Sequence, residues 1–397
     1  MIKHKNKEIY NAASNMKASV LNFAKRMSNG LKKTNQKFIG DMLYGIMAAQ
    51  DVKLTEVGKT LKEDMKLKYT EERLRRNVNS FDDTETVTDN YMKRVIRKCR
   101  KDTILLVDKG VLSKPCGSSF EGLCEVCSPP AGGSEKGFPT VGIIALTDNK
   151  LPVNIYEKIY SYKKDFISEN HETFKALEFA DRYFGKHNIR VLYRGYDSSI
   201  ITEELLNSEF KFMVRLCESD IISRHRKNTT TNSRGGGNRK YIVDFENPKA
   251  RNAQKMQCEI SITQIELERF PGETFTLVIY KDDSDNPVPM ITNVIDNDEA
   301  ICDSIVKCCL MRARIEAFYR FKKRVFKFED IRVMSLKSMN NINLFLNILI
   351  GFLSMKSTEG LENPPIVALI NKVKQSYETM GNVSKRENIK PKFGILN

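Results

Sequence analysis

The sequence predicts an α/β protein on a mixed sheet, preceded by a helical segment and interrupted by a β-rich insertion. Three observations predict it. Residues 1–100 pattern as amphipathic helices. From residue 103 onward, short apolar runs bounded by turns alternate with a helix, the rhythm of an α/β core. Between residues 239 and 296, four alternating runs follow one another with no helix between them. At 397 residues the chain has length for two to three domains at roughly 100–200 residues each.

The elements follow in order. Lys17–Arg26 has apolar positions at Val20, Leu21, Phe23 and Ala24, and Phe38–Ala49 repeats the spacing with Met42, Leu43 and Ile46. Thr70, followed by Glu71 and Glu72, reads as the N-cap of a basic helix, TEERLRRNVNS. TVTDNYMKRVIRKCRKD is a second basic helix, apolar at Met92, Val95, Ile96 and Cys99. TILLVD reads as a buried strand ending at Asp108, and GFPTVGIIALTDNKLPVNIYEKIYS as two strands joined by a turn at 147–149. Ser168 caps a helix that stops around Gly185, and IRVLYRGYD is another strand. A helix at Glu203–Asn207 and the strand FKFMVRL precede a basic, glycine-rich loop, SRHRKNTTTNSRGGGNRK. Residues 298–332 return to helix, and 334–357 form an apolar one. The divisions are 1–101 (helical, basic), 102–200 (core, first part), 201–297 (β-rich insertion), 298–357 (closing helices of the core) and 358–397 (tail).

Charge narrows the partners. Lys+Arg minus Asp+Glu is 65 − 50 = +15. Residues 1–100 hold 22 basic and 12 acidic residues, so +10 lies in the first quarter. Arg73, Arg75, Arg76, Lys93, Arg94, Arg97, Lys98 and Arg100 cluster on two of its helices. Such a balance points to an acidic partner, most often nucleic acid, and the clustering favours a surface for phosphates. The longest apolar run, Leu344–Met355, is about 12 residues against the ~20 of a spanning helix, and MIKHKNKEIY lacks the apolar stretch of a signal peptide. No membrane partner is expected, and the expected location is cytoplasmic. Nine cysteines, an odd number widely spread, suit free thiols. Cys124 and Cys127 form C-x2-C with Cys116 eight residues earlier, but no second pair follows to complete a four-ligand zinc site.

Two acids stand out by position. Asp108, at the end of a core strand, is where an α/β protein places a ligand or an acid; turns also favour Asp there. In MRARIEAFYRFKKRVFKFED, Arg312, Glu316, Tyr319 and Lys323 share one helical face at spacings of three and four. Residue types alone allow a solvated face laced by ion pairs.

Together these segments resemble the DDE transposases of bacterial insertion sequences. VDKGVLSKP, followed by EGL and a GF-containing strand, is similar to their first acidic motif, VLYRGYDSSII to their second, and MRARIEAFYRFKKRVFKFEDIRV to their third. The third has the family form Y-x2-R-x3-E-x6-K, and Arg312, Glu316 and Lys323 fall at its intervals. LKYTEERLRRN and the β-rich insertion also resemble the family, so the likeness runs from about residue 60 to 350. The resemblance implies an RNase H-like core, an N-terminal helical DNA-binding domain and cut-and-paste transposition of double-stranded DNA. It implies Asp108 and Glu316 as catalytic acids and metal ligands for two Mg²⁺ (or Mn²⁺) ions. Arg312, Lys323, Arg73, Arg75, Arg76, Lys114 and Arg194 are its implied DNA contacts, with terminal inverted repeats and target DNA as partners and a homodimer on the nucleoid DNA.

The sequence departs from that family at one decisive place. The second acid precedes the arginine of a D-R-G-Y-D motif, and here that position is Tyr193. A phenol with a pKa of ~10 is neutral at pH 7 and offers one oxygen, so it does not replace a bridging carboxylate. Asp197 matches a separate position of the motif. Cys309 stands at the motif tyrosine, Ala313 where a tryptophan commonly follows the arginine, and Val111 where an acid often lies three residues after the first Asp. The expectation is a transposase-like protein, catalytically impaired. The alternatives are a non-enzymatic DNA-binding derivative and an RNase H-like nuclease.

Overall fold

The structure, a computed structural model, describes residues 2–128, 133–146, 152–216, 239–246, 255–267, 269–281, 288–294, 308 and 312–357. Its centre is a mixed sheet. The strands are β1 (Leu105–Ser113), β2 (Cys124–Ser128), β3 (Gly133–Leu146), β4 (Pro152–Ile159), β5 (Arg190–Leu192), β6 (Phe212–Arg215), β7 (Arg239–Glu246), β8 (Lys255–Leu267), β9 (Phe270–Lys281) and β10 (Val288–Thr292). β3 runs antiparallel to β1 and β4 antiparallel to β3, while β5 and β6 add in parallel on the other side of β1. The spatial order β4-β3-β1-β5-β6, with only the second strand reversed, is that of an RNase H-like core. The residues explain the burial. The stretch from Phe138 to Leu146 is buried throughout, because helices cover the sheet and leave no solvated face to demand alternation.

Four further strands extend this sheet. β10 pairs antiparallel with β6, and β9, β8 and β7 follow as a meander. The β-rich stretch thus grows out of the core's edge and satisfies its N–H and C=O groups there. β6 and the helix α7 before it fall inside the expected span 201–297, but the parallel pairing of β6 with β5 ties them to the core. The glycine-rich loop at residues 223–240, apart from Arg239 and Lys240, which open β7, and the turn at 147–149 lie outside the described residues.

Five helices precede the sheet: α1 (Ile2–Met27), α2 (Lys33–Ala49), α3 (Leu54–Leu61), α4 (Leu67–Ser80) and α5 (Thr84–Val95). α6 (Glu169–Phe184) and α7 (Ser199–Asn207) flank β5, and α8 (Arg312–Val325) and α9 (Leu336–Ser357) close the fold. The Ser168 hydroxyl accepts from the His171 N–H at 3.0 Å and caps α6. Gly185 ends the helix at φ 68, a conformation glycine adopts without strain. Thr70 does not cap α4. The helix starts at Leu67, and Thr70 sits buried inside it, its hydroxyl 3.1 Å from Glu63 Oε2. The cap chemistry of threonine is spent on a neighbouring loop instead.

α9 joins the two halves of the molecule. Its Phe345 ring packs 5.4 Å from Phe38 and 5.3 Å from Phe81, and Phe352 packs 4.7 Å from Phe23. The Asn341 amide donates to the Val78 and Phe81 carbonyls at 2.8 and 3.0 Å. On the other side, Asn340 accepts from the Ile159 N–H and donates to its carbonyl, both at 2.9 Å, at the end of β4. The helix carries apolar residues on several sides because most of it is buried, and its asparagines bond to the elements on either side. Residues 336–356 do reach the length and composition of a membrane span, more than the 12-residue run suggested, yet almost all of the stretch is buried inside the fold. One hydrophobic core runs from α1 through the sheet to α9, so the change of texture near residue 102 is not a break in packing.

Candidate functional site

Asp108 does not end its strand. β1 continues five residues past it, paired with β3. What ends there is the parallel ladder: Val107 pairs with Leu192, and both Asp108 and Tyr193 come next. The site the sequence placed at a strand terminus is thus the carboxyl end of the parallel part of the sheet. The antiparallel partner carries β1 onward.

The registers build a row across the sheet. Asp108 lies opposite Gly142 and Gly142 opposite Glu157, so all three face one side. α8 covers that side. The Tyr319 hydroxyl sits where a side chain on residue 142 would point, so the helix can come this close only over glycine. Lys322 Nζ reaches Glu157 Oε2 at 2.5 Å and also the Asn343 side chain, and both members of the ion pair are almost fully buried. One turn on from Tyr319, Lys323 Nζ donates to the Val111 carbonyl at 3.1 Å and pairs with Glu329 at 2.7 Å. Glu316, one turn before Tyr319, is exposed. Glu316 thus lies on the helix whose Tyr319 packs over Gly142, the residue opposite Asp108.

Aromatic rings surround the acid. Tyr193 is 5% exposed and Tyr196 1%. The Tyr196 N–H donates to the Tyr193 carbonyl at 2.8 Å, closing a tight turn after β5. Burial, and then the nearby Asp108 carboxylate, raise the Tyr196 hydroxyl well above its usual pKa. Burial does the same to Tyr319, with Glu157 and Asp108 adding to it. These phenols stay neutral because a phenolate would be both dry and beside an anion. On the opposite face, Lys109 follows the pleat outward. Its Nζ pairs with Glu169 at 2.9 Å and lies 4.8 Å from the centre of the Tyr196 ring. Lys109, Gly142 and Glu157 drew no notice in the sequence; their importance comes from cross-strand register, which no local pattern carries.

The donor set does not suit a pair of divalent ions. Among the described residues, no three His, Cys, Asp or Glu side chains converge. Glu157 shares the Asp108 row, but two inter-strand spacings, about 10 Å, separate them, and Lys322 holds it. Asp197 faces Arg269, 3.5 Å from its guanidinium. Cys124 and Cys127 sit three apart on β2, on opposite faces: the first is buried and donates to the Gly137 carbonyl, the second is exposed.

The expected DNA contacts separate into classes. Lys114 is not one: only 7% exposed, its ammonium donates to the Glu329 and Ile331 carbonyls, the latter at 2.8 Å. Burial pushes its pKa down to about 8. Its long stem let it turn inward to tie β1 to the segment after α8. Arg73 is half-buried and neutralised by Asp41 at 3.0 Å and Glu63 at 2.8 Å. Arg75 and Arg76 are exposed on α4. The side chains of Arg194 and Arg312 lie outside the described residues, as do Cys309 and the loop arginines Arg224, Arg226 and Arg234.

No protein-family model matches the sequence, and no curated protein matches it. A cryo-EM structure of a piggyBac transposase synaptic complex with hairpin DNA aligns over 90% of this chain and 82% of its own, at 13% identity. The TM-score is 0.36, too low to bear on fold or function.

Proposed function

We propose that the chain is a transposase-like DNA-binding protein whose strand-cutting centre is impaired. One observation carries the reading: Tyr193, a buried phenol, stands beside Asp108 where the parallel ladder ends, at the position the motif resemblance gives to the second acid. Two Mg²⁺ (or Mn²⁺) ions would supply the nucleophile and stabilise the leaving oxygen, and they demand several anionic oxygens within reach. By the motif resemblance Asp108 and Glu316 would provide two carboxylates, Tyr193 provides no charge, and Glu157 and Asp197 are paired with Lys322 and Arg269. Duplex DNA remains the partner that best suits a net charge of +15 concentrated toward the N-terminus. We expect terminal inverted repeats as its ligand, binding as a homodimer, in the cytoplasm on nucleoid DNA.

The test compares the parent protein with Tyr193→Asp on duplexes carrying the element's ends, with Mg²⁺ or Mn²⁺. The expected outcome is DNA binding by both and cleavage by Tyr193→Asp alone or by neither. Metal-dependent cutting by the parent at a rate comparable to Tyr193→Asp would overturn the impairment. Absence of duplex binding by the parent would overturn the DNA reading itself.

A further inference from the structure

A groove of about 610 Å³ opens between the start of α3, the outward face of α4 and the chain that enters α9. Its floor is apolar, with Val52, Leu54, Val333 and Ile342 all buried. Its rim is cationic. Arg75, Arg76, Arg332 and Lys53 line it against a single acid, Glu71. Lys53 is held by Asp330 at 3.2 Å and Asp51 at 3.5 Å. Arg75, Arg76 and Arg332 are exposed and, among the described residues, make no ion pair. Within α4 the contrast is direct: Arg73 is neutralised by Asp41 and Glu63, while its neighbours Arg75 and Arg76 are exposed and make no ion pair among the described residues. Arg332 reaches the same rim from far along the chain. At the far wall Ser335 and Ser338 both donate to Asn79, at 3.0 and 3.2 Å.

Three exposed guanidiniums that make no ion pair among the described residues, set over an apolar floor, match a chain that alternates phosphate with deoxyribose. The forked N–H groups suit phosphate oxygens, and the sugar faces lie against apolar side chains. We infer that this groove docks the phosphodiester backbone of duplex DNA, with Arg75, Arg76 and Arg332 each on a phosphate. The inference rests on the DNA-binding reading above and names a surface built from elements other than those holding Asp108.

The experiment measures fluorescence anisotropy of a labelled duplex against the full chain between 50 and 200 mM salt. The variants are R75A/R76A/R332A, the corresponding triple Arg→Lys, and the three single alanines. Three lost phosphate contacts shrink the log–log salt slope by about 2.7, so the affinity loss across that salt range becomes about 40-fold smaller. The triple Arg→Lys variant keeps the slope. Each alanine alone removes about 0.9, which keeps the test open if the triple variant melts early by circular dichroism. A parent that does not bind duplex DNA removes the DNA reading and the groove with it. A parent that binds while the folded alanine variants keep its slope overturns the groove alone. Loss of binding to polyglutamate with DNA binding intact also overturns it, and assigns the groove to an acidic protein.

Discussion

At the scale of single residues, burial decides what a charged group does. Lys322 and Glu157 are both about 1% exposed and 2.5 Å apart. Removing one partner strands the other as a buried charge, at a cost of about 3–5 kcal/mol, whereas replacing both by apolar residues of similar volume is close to neutral. Lys322→Met should therefore destabilise strongly in urea unfolding, and Glu157→Leu/Lys322→Met should recover most of the loss. Burial also pushes Lys322 and Lys114 down to about 8. An unfolded lysine titrates at ~10.4. Between these values the unfolded chain holds more protons, so these two groups make stability rise with pH across that window and change nothing below it. The urea midpoint of the parent, less that of Lys114→Met, should grow from pH 7.5 to 10. A flat difference would show that Lys114 is not desolvated as the fold places it. Neither lysine could be told from its surface neighbours by sequence, because a buried lysine in a basic chain looks like any other.

At the scale of elements, glycine and a neighbouring strand set where α8 sits. The helix approaches β1 and β3 over Gly142, against the Tyr319 hydroxyl. Gly142→Ala should displace α8 and cost about 1–3 kcal/mol as overpacking, measurable as a lowered melting temperature. An unchanged melt would mean that the helix does not close on the sheet here. Elements with local signals were legible: Ser168 and Gly185 bound α6 as capping chemistry predicts, and the spacing of Glu316, Tyr319 and Lys323 marks one helical face. Thr70 shows the limit. Its acid-following pattern is that of a cap, but the helix began a turn earlier and the hydroxyl found Glu63. Asp108 shows it again, since a turn-like residue inside β1 is carried through by pairing with β3.

At the scale of the whole molecule, α9 makes the N-terminal helices and the sheet one cooperative structure. Phe23, Phe38 and Phe81 come from the first hundred residues, and their ring partners Phe345 and Phe352 from the last described helix. Residues 1–101 expressed alone should lack a cooperative thermal transition, because that core is missing its centre. Adding residues 334–357 in trans should restore one. A sharp transition in the isolated fragment would show that the helices form an independent domain. The same arrangement explains the groove above, whose walls are α3, α4 and the entry to α9.

The sequence by itself determined the class of the fold, the bounds of elements with clear local signals such as α6, and the basic bias of the N-terminal helices. These are properties of spacing and residue type, which short stretches carry. Only the tertiary structure decided that Asp108 marks the end of a parallel ladder, that Glu157 is neutralised, that Lys114 and Arg73 are turned inward and that Arg75, Arg76 and Arg332 share a rim. Each depends on a partner more than 30 residues away or on cross-strand register, and burial and pairing at such distances leave no periodic trace in the chain.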